Sequence, residues 1–150
     1  MKTTYKTATV LDVQVYCFPI NFTRLGDGKQ GGHLVPITMD SLPFLPKRMY
    51  HVSNVQYRPD RGRHAHYNTT QLITCVSGSV NLTLKDGKGG VVAFDLRHPN
   101  TAVLVPSMIW DEVNYADSNS TLLVFCDTDY DADDYINTWD KYIDEYNKTS

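Results

Sequence analysis

Along most of this chain apolar and polar residues alternate with a period of two, the signature of β-strands with one buried face. Between Thr7 and Ile20, Val10, Leu11, Val13, Val15 and Cys17 interleave with polar residues and predict a half-buried strand. The glycine-rich stretch from Arg24 to Gly32 predicts a flexible loop or turn. His33-Leu34-Val35-Pro36-Ile37 follows as a short strand, placed at an edge because proline cannot donate to a ladder. Pro43 and Pro46 exclude a helix interior from residues 41–46. Strand-like composition returns over Arg48 to Gln56, with Met49, Tyr50, Val52 and Val55.

A turn at Pro59-Asp60-Arg61-Gly62 leads into a strand that opens with two histidines and passes on to Leu72-Ile73-Thr74-Cys75-Val76. Val80 to Leu84 alternates strictly, and Asp86-Gly87 is a hairpin signal because it accommodates positive φ. Further short strands are predicted at Val91–Leu96, Ala102–Val105, Ile109–Tyr115 and Thr121–Cys126, with turn residues between them. That succession fits an antiparallel sandwich or barrel. From Asp131 to Lys148 the period changes. Tyr135, Ile136, Trp139, Tyr142, Ile143 and Tyr146 fall at helical offsets, so an amphipathic helix is expected over 131–148, with acids favouring its N-terminus. Trp139 is read as a packing residue.

At 150 residues the chain is long enough for one domain with a sizeable core. Its net charge of -3 argues against general nucleic-acid binding. Locally the balance differs: Lys47, Arg48, Arg58, Arg61 and Arg63 face only Asp60 between positions 47 and 66. Such an excess suits an anion such as a phosphate, or equally a charge-protected edge strand. Cys17, Cys75 and Cys126 show no C-x-x-C spacing and read as buried thiols of a reducing compartment. The first six residues lead into no apolar h-region and no run reaches the length of a membrane span, so a cytoplasmic protein is expected.

The chemically loaded stretch is Arg61-Gly62-Arg63-His64-Ala65-His66. Residues i and i+2 of a strand share a face, which sets the two imidazoles side by side about 7 Å apart along the backbone. Gln71 falls on the opposite parity unless a bulge intervenes. The spacing His64-x-His66, Gln71, Gly78 resembles the first cupin motif, whose residues line a small jelly-roll barrel. That motif usually has Glu where Gln71 stands, and Asp111 occupies the place of the second motif's histidine. Two histidines and a carboxylate can hold a divalent metal. The neutral Gln71 removes one anionic ligand. Without metal, adjacent imidazoles suit proton transfer near neutrality, or they are simply a hydrogen-bonded structural pair.

A narrower likeness lies in the same residues. Arg61-Gly62-Arg63-His64-Ala65-His66 resembles the RGxHAH signature of the sugar 3,4-ketoisomerases, cupins acting on dTDP-4-oxo-6-deoxy-glucose. Gly32-His33-Leu34-Val35-Pro36-Ile37, Pro43-Phe44-Leu45-Pro46-Lys47-Arg48-Met49-Tyr50, Trp110 with Glu112, and Tyr130-Asp131 to Ile136 follow in the family's order. The resemblance covers roughly residues 13 to 145 and implies a mostly β fold: a cupin-type antiparallel jelly-roll barrel with a C-terminal helix. It implies a metal-independent tautomerisation without cofactor, through an enediol. His64 would be the base and His66 its partner in shuttling protons; apart from the resemblance, Asp111 is a candidate third catalytic group, as an acid or by holding His64 or His66 in its charged form. Arg61 would face the nucleotide diphosphate, while Tyr50, Gln71, Arg48 and Trp110 would contact the substrate. The implied partners are a dTDP-linked 4-oxo-6-deoxy sugar and a second copy of the chain, exchanging N-terminal strands. Three positions depart from the family: Asp111 where members carry His or Arg, Gly31 where some carry Arg or Tyr, and Tyr67 in place of a frequent Lys. A metal-dependent cupin enzyme and a non-catalytic sugar-nucleotide-binding barrel remain open alternatives at this point.

Overall fold

The computed structural model describes residues 7–56 and 60–149. The segment 1–6 inspected for a leader, and Arg58 and Pro59 of the basic cluster and turn, therefore lie outside the described residues. Two five-stranded antiparallel sheets face each other. In the first, β1 (Gln14–Cys17), β9 (Thr101–Val105), β6 (Gln71–Ser77), β11 (Thr121–Cys126) and β4 (Arg48–Val52) lie side by side in that order. In the second the order is β12 (Tyr135–Ile136), β5 (Asp60–His66), β10 (Trp110–Tyr115), β7 (Val80–Lys85) and β8 (Val91–Leu96). A separate two-stranded ribbon joins β2 (Asn21–Arg24) to β3 (Gln30–Leu34). This is the mostly β, antiparallel architecture expected from the alternation, in the jelly-roll form that the family resemblance implies.

Period-two patterning explains where each strand sends its side chains. On β7, Val80, Leu82 and Leu84 are buried while Asn81 is exposed, as a sheet with one covered face requires. β6 is central in its sheet, and buried residues alternate onto both faces. Ile73 and Cys75 enter the main core between the sheets. Leu72 instead joins Phe18, Ala102 and Phe125 on the outer face, under Val35, Ile37 and Phe44. The strand expected over 33–37 instead runs from Gln30 to Leu34, starting inside the stretch expected as a loop, and Val35 and Ile37 cover that face as irregular chain.

Two expectations need correction. The half-buried strand over 7–20 is broken by a short 3₁₀ turn at Val10–Asp12, where Asp12 accepts from the Thr9 N–H at 2.8 Å. Only Gln14–Cys17 pairs, as an edge strand, leaving Leu11 90% exposed and Cys17 on the surface. Cys75 and Cys126 are buried, as read. The helix starts eight residues later than expected, as α1 (Trp139–Lys148). Residues 131–136 instead make a 3₁₀ turn and the short strand β12, because Tyr135 and Ile136 pair with His66 and Ala65. Thr138 then supplies the cap, its hydroxyl accepting from the Lys141 N–H at 3.4 Å.

Helix α1 closes a second core outside the sheet, where Tyr142 and Tyr146 bury against Ala65, Met108, Trp110 and Ile136. The Tyr142 hydroxyl donates to the Met108 carbonyl at 3.0 Å, and that of Tyr146 to Ala8 at 2.8 Å. The helix therefore braces the outer face of β5, whose inner face carries the histidines. No helix among the described residues is long and apolar enough to cross a membrane. Tyr142→Ala removes a fully buried ring and its hydrogen bond to Met108, and should cost about 3–5 kcal/mol in chemical denaturation. A loss below about 1 kcal/mol would mean that α1 does not brace the sheet.

Candidate active site

A cavity of about 460 Å³ lies between the sheets. β5 supplies its reactive wall. His64 lines the cavity, Ala65 points to the helix side, and His66 turns back to the His64 face, where its ring packs against His64 and Tyr135 behind the cavity lining. The two imidazole centroids are 5.0 Å apart and nearly perpendicular. In a regular strand Arg61 and His64, three apart, would face opposite ways. Both line the cavity because β5 carries a bulge: Asp111 pairs with His64 but Glu112 pairs with Gly62, leaving Arg63 as the extra residue. Gly62 (φ 70°) and Arg63 (φ 61°) take the left-handed conformations the bulge needs. Gly62 is also required by space, since a Cβ there would overlap the Asp111 carboxylate.

His66 is held from behind. Its Nδ1 lies 3.0 Å from Asp134 Oδ2. Asp134 also accepts from the Asn68 backbone N–H (2.7 Å), the Asn68 side-chain amide (3.0 Å), and the backbone N–H and hydroxyl of Thr69. Burial alone would raise this carboxyl, but the bonds from Thr69, Asn68 and His66 outweigh it and hold it below the usual carboxylate range. An ionised Asp134 places the imidazole proton on Nδ1 and the lone pair on Nε2. Burial, then the charge of His64, push His66 down to about 4 against the pull of Asp134. It is therefore a neutral imidazole at pH 7, and its buried Nε2 has no partner among the described residues.

His64 has a different environment. Its Nε2 faces Asp111 Oδ2 at 3.6 Å. Asp111 is buried, and that burial raises its carboxyl to about 6, with the His64 charge opposing and Glu112 reinforcing the shift. Tyr135 completes a triangle of rings, 5.2 Å from His64 and 4.3 Å from His66.

The facing sheet brings the polar residues opposite. Gln71 donates to the Tyr50 hydroxyl at 3.1 Å, and both line the cavity. The parity expected for Gln71 does not apply, because residues 67–70 carry the chain from one sheet to the other. Arg48 lines the mouth, with its guanidinium 5.6 Å from the Tyr50 ring and 5.4 Å from Tyr130. Its Nη2 donates to Cys126 Sγ at 3.4 Å. Of the residues singled out from sequence, the structure brings together His64, His66, Asp111, Arg61, Tyr50, Gln71 and Arg48. Trp110 is placed elsewhere, on the helix side of β10 against Trp139 and Tyr142, with its indole N–H on Glu112 at 3.0 Å. No group of three or more His, Cys, Asp or Glu side chains among the described residues is arranged to hold a metal ion. Sequence reasoning missed Asp134 and Tyr135, which helical periodicity had assigned to α1. Pairing of β12 with the histidine strand puts them here; the period does not show it, and the one signal that reached them was the family-like segment from Tyr130 to Ile136.

Comparison with known proteins gives this geometry its context. Residues 17–147 match the family model described as FdtA: WxcM-like, C-terminal. A curated relative from Aneurinibacillus thermoaerophilus, TDP-4-oxo-6-deoxy-alpha-D-glucose-3,4-oxoisomerase, is 32% identical over 132 residues, spanning 85% of this chain and 93% of that one. The solved structure of QdtA, a sugar 3,4-ketoisomerase from Thermoanaerobacterium thermosaccharolyticum in complex with TDP, superposes with a TM-score of 0.79 at 30% identity, over 93% of this chain and 97% of that one. A histidine-to-asparagine mutant of the same enzyme, in complex with TDP-4-keto-6-deoxyglucose, superposes with a TM-score of 0.79 at 29% identity, over 93% and 96% of the two chains. With the family model covering most of its length and the jelly-roll in agreement, this chain belongs to the FdtA family of cupin-fold sugar 3,4-ketoisomerases.

Proposed function

We propose that this chain converts a TDP-linked 4-oxo-6-deoxyhexose to its 3-oxo isomer, without metal, by proton transfer at the histidine pair. The observation that carries the reading is the Asp134–His66 pair, which presents an unpartnered basic nitrogen beside a cavity able to hold a sugar. The C4 ketone acidifies the hydrogen on C3. Removal of that proton shifts the C–H electron pair into a C3–C4 double bond, and the carbonyl electrons onto O4. O4 takes up a proton to give the enediol, and loss of the O3 proton then forms the C3 ketone while C4 takes up a second proton. Atoms and electrons balance with no oxidant or reductant.

Geometry favours the reverse of the roles carried over from sequence. His66, neutral and with its tautomer set by a carboxylate on Nδ1, offers its Nε2 lone pair as a general base; burial makes it a weak one, which the acidity of the C3 hydrogen beside the ketone offsets. His64 lines the cavity with Nε2 turned toward the Asp111 carboxylate at 3.6 Å, an orientation that suits exchange of a proton with O4 as charge develops. Asp111 supports that proton. Arg48 and Arg61 offer cationic groups to the diphosphate, with Tyr50 and Gln71 orienting sugar hydroxyls. The reaction belongs to deoxysugar biosynthesis and would run in the cytoplasm, where three free thiols stay reduced.

A homodimer fits the N-terminal segment. The β2–β3 ribbon stands apart from both sheets, and a two-stranded ribbon alone is marginal in water. Phe22, Leu25 and Leu34 on it are exposed, as is Val15 on the β1 edge. A second copy would cover this apolar surface through exchanged strands.

Proton NMR in deuterated water with TDP-4-oxo-6-deoxy-glucose should show loss of the C3 proton signal in the presence of EDTA. His66→Asn should abolish that exchange, while His64→Asn should slow it by about 10²–10⁴-fold; full exchange in His66→Asn would move the base to His64. Since the carboxyl of Asp111 is raised, its ionisation opposes folding as pH rises through about 6. Asp111→Asn should therefore be more stable than wild type at pH 8 and lose that advantage below about pH 4, as followed by thermal melts. An advantage independent of pH would contradict the raised carboxyl. Light scattering should give twice the chain mass, falling to one chain in Phe22→Glu/Leu34→Glu.

A further inference from the structure

Four buried side-chain atoms lack a hydrogen-bond partner among the described residues: Arg48 Nε, His64 Nε2, His66 Nε2 and the Tyr115 hydroxyl. The first three belong to groups already given work in the reaction or in binding. Tyr115 does not. It ends β10, on which Asp111, Val113 and Tyr115 alternate onto the cavity face, and all three line the cavity. Only 1% of Tyr115 is exposed. The lining it shares is rich in aliphatic side chains, among them Val52 and Leu122 from the facing sheet. Burial pushes the phenol up to about 12, with the Arg61 charge only partly opposing, so it remains a proton donor at any physiological pH.

A hydroxyl buried without a partner is destabilising, and phenylalanine would fill the same space without that cost. We propose that Tyr115 is a substrate-binding residue whose phenol donates a hydrogen bond to an oxygen of the sugar nucleotide in the cavity. This rests on the ketoisomerase reading and extends it to a residue that no motif marks. Tyr115 stands four residues, roughly 13 Å of strand, from Asp111. The accepted oxygen is therefore remote from C3 and C4, on the far side of the sugar or on the phosphate attached to it. Arg61 flanks the same end, since it pairs with Val113.

The test combines calorimetric titration with thermal denaturation of Tyr115→Phe and wild type, using TDP and the unreactive TDP-glucose as probes. Binding of TDP-glucose to the variant should weaken roughly 3- to 10-fold, the worth of one neutral hydrogen bond. Weakening of TDP-glucose alone assigns the oxygen to the sugar, and equal weakening of TDP assigns it to the phosphate. The melting temperature of the unliganded variant should equal or exceed that of wild type. Unchanged affinity for both probes overturns the proposal, as does a lower melting temperature, which would mean that the phenol is already satisfied within the protein. Wild-type protein that binds neither probe instead removes the ketoisomerase reading, and this proposal with it.

Discussion

The carboxylate of Asp134 is the point on which the site depends. Five hydrogen bonds converge on it, from His66, Asn68 and Thr69. Burying a carboxylate is costly unless such donors replace water. Because they do, the charge is kept, and three consequences follow from one group. The imidazole of His66 is locked in one tautomer. The crossover at residues 67–70, which carries the chain from the second sheet to Gln71 in the first, is pinned at its start. The segment after β11 is also drawn onto the histidine strand, where the Tyr67 N–H donates to the Asp134 carbonyl at 3.0 Å and β12 pairs. Neutralising Asp134 would leave amide donors facing each other with nothing to accept, so its role in the fold and its role at the site cannot be separated.

A second constraint acts from the opposite side of the pair. The bulge at Gly62 and Arg63 decides which side chains of β5 reach the cavity, and Asp111 occupies the space that a side chain at position 62 would need. Glycine and aspartate are thus matched across the β5–β10 ladder. A regular strand would have turned Arg61 outward and left the cavity with one cation fewer. The local backbone strain of a left-handed Arg63 is tolerated because neighbouring ladder bonds and the helix behind β5 over-determine the strand.

Much of this was legible in the residues because period-two alternation and short turns constrain an antiparallel fold strongly. The paired imidazoles needed only strand parity. What escaped reading was non-local. Tyr135 and Ile136 fit a helical period as well as a two-residue strand, and Asp134 resembled a first-turn acid favourable to the macrodipole. Nothing near them in sequence says that their partner is His66, 68 residues away. Trp110 shows the reverse case. Adjacent residues of a strand face opposite sides, so Trp110 and Asp111 could not both line the cavity, and parity alone would have separated them. The bulge that admits Arg61 had one sequence cue, a glycine, and glycine in a strand has several meanings.

The distribution of unsatisfied polar atoms completes the physical picture. Away from the cavity, buried polar groups are well supplied: Asp86 accepts from Val10, Lys88 and Gly90, and the hydroxyls of Thr74 and Ser120 reach backbone carbonyls. The four orphans are instead set on or directly behind a single wall-to-wall space. Among the described residues, the buried side-chain atoms left open are those at this cavity, which concentrates destabilisation where a polar ligand can relieve it. The aliphatic lining sharpens the effect, because Ile73, Val113 and Val124 compete for no hydrogen bonds and keep the local dielectric low. In such surroundings a negative charge growing on a sugar oxygen feels nearby donors far more strongly than it would in water. The same barrel wall that makes these orphans expensive in the free protein strengthens each hydrogen bond they would form with a bound polar ligand.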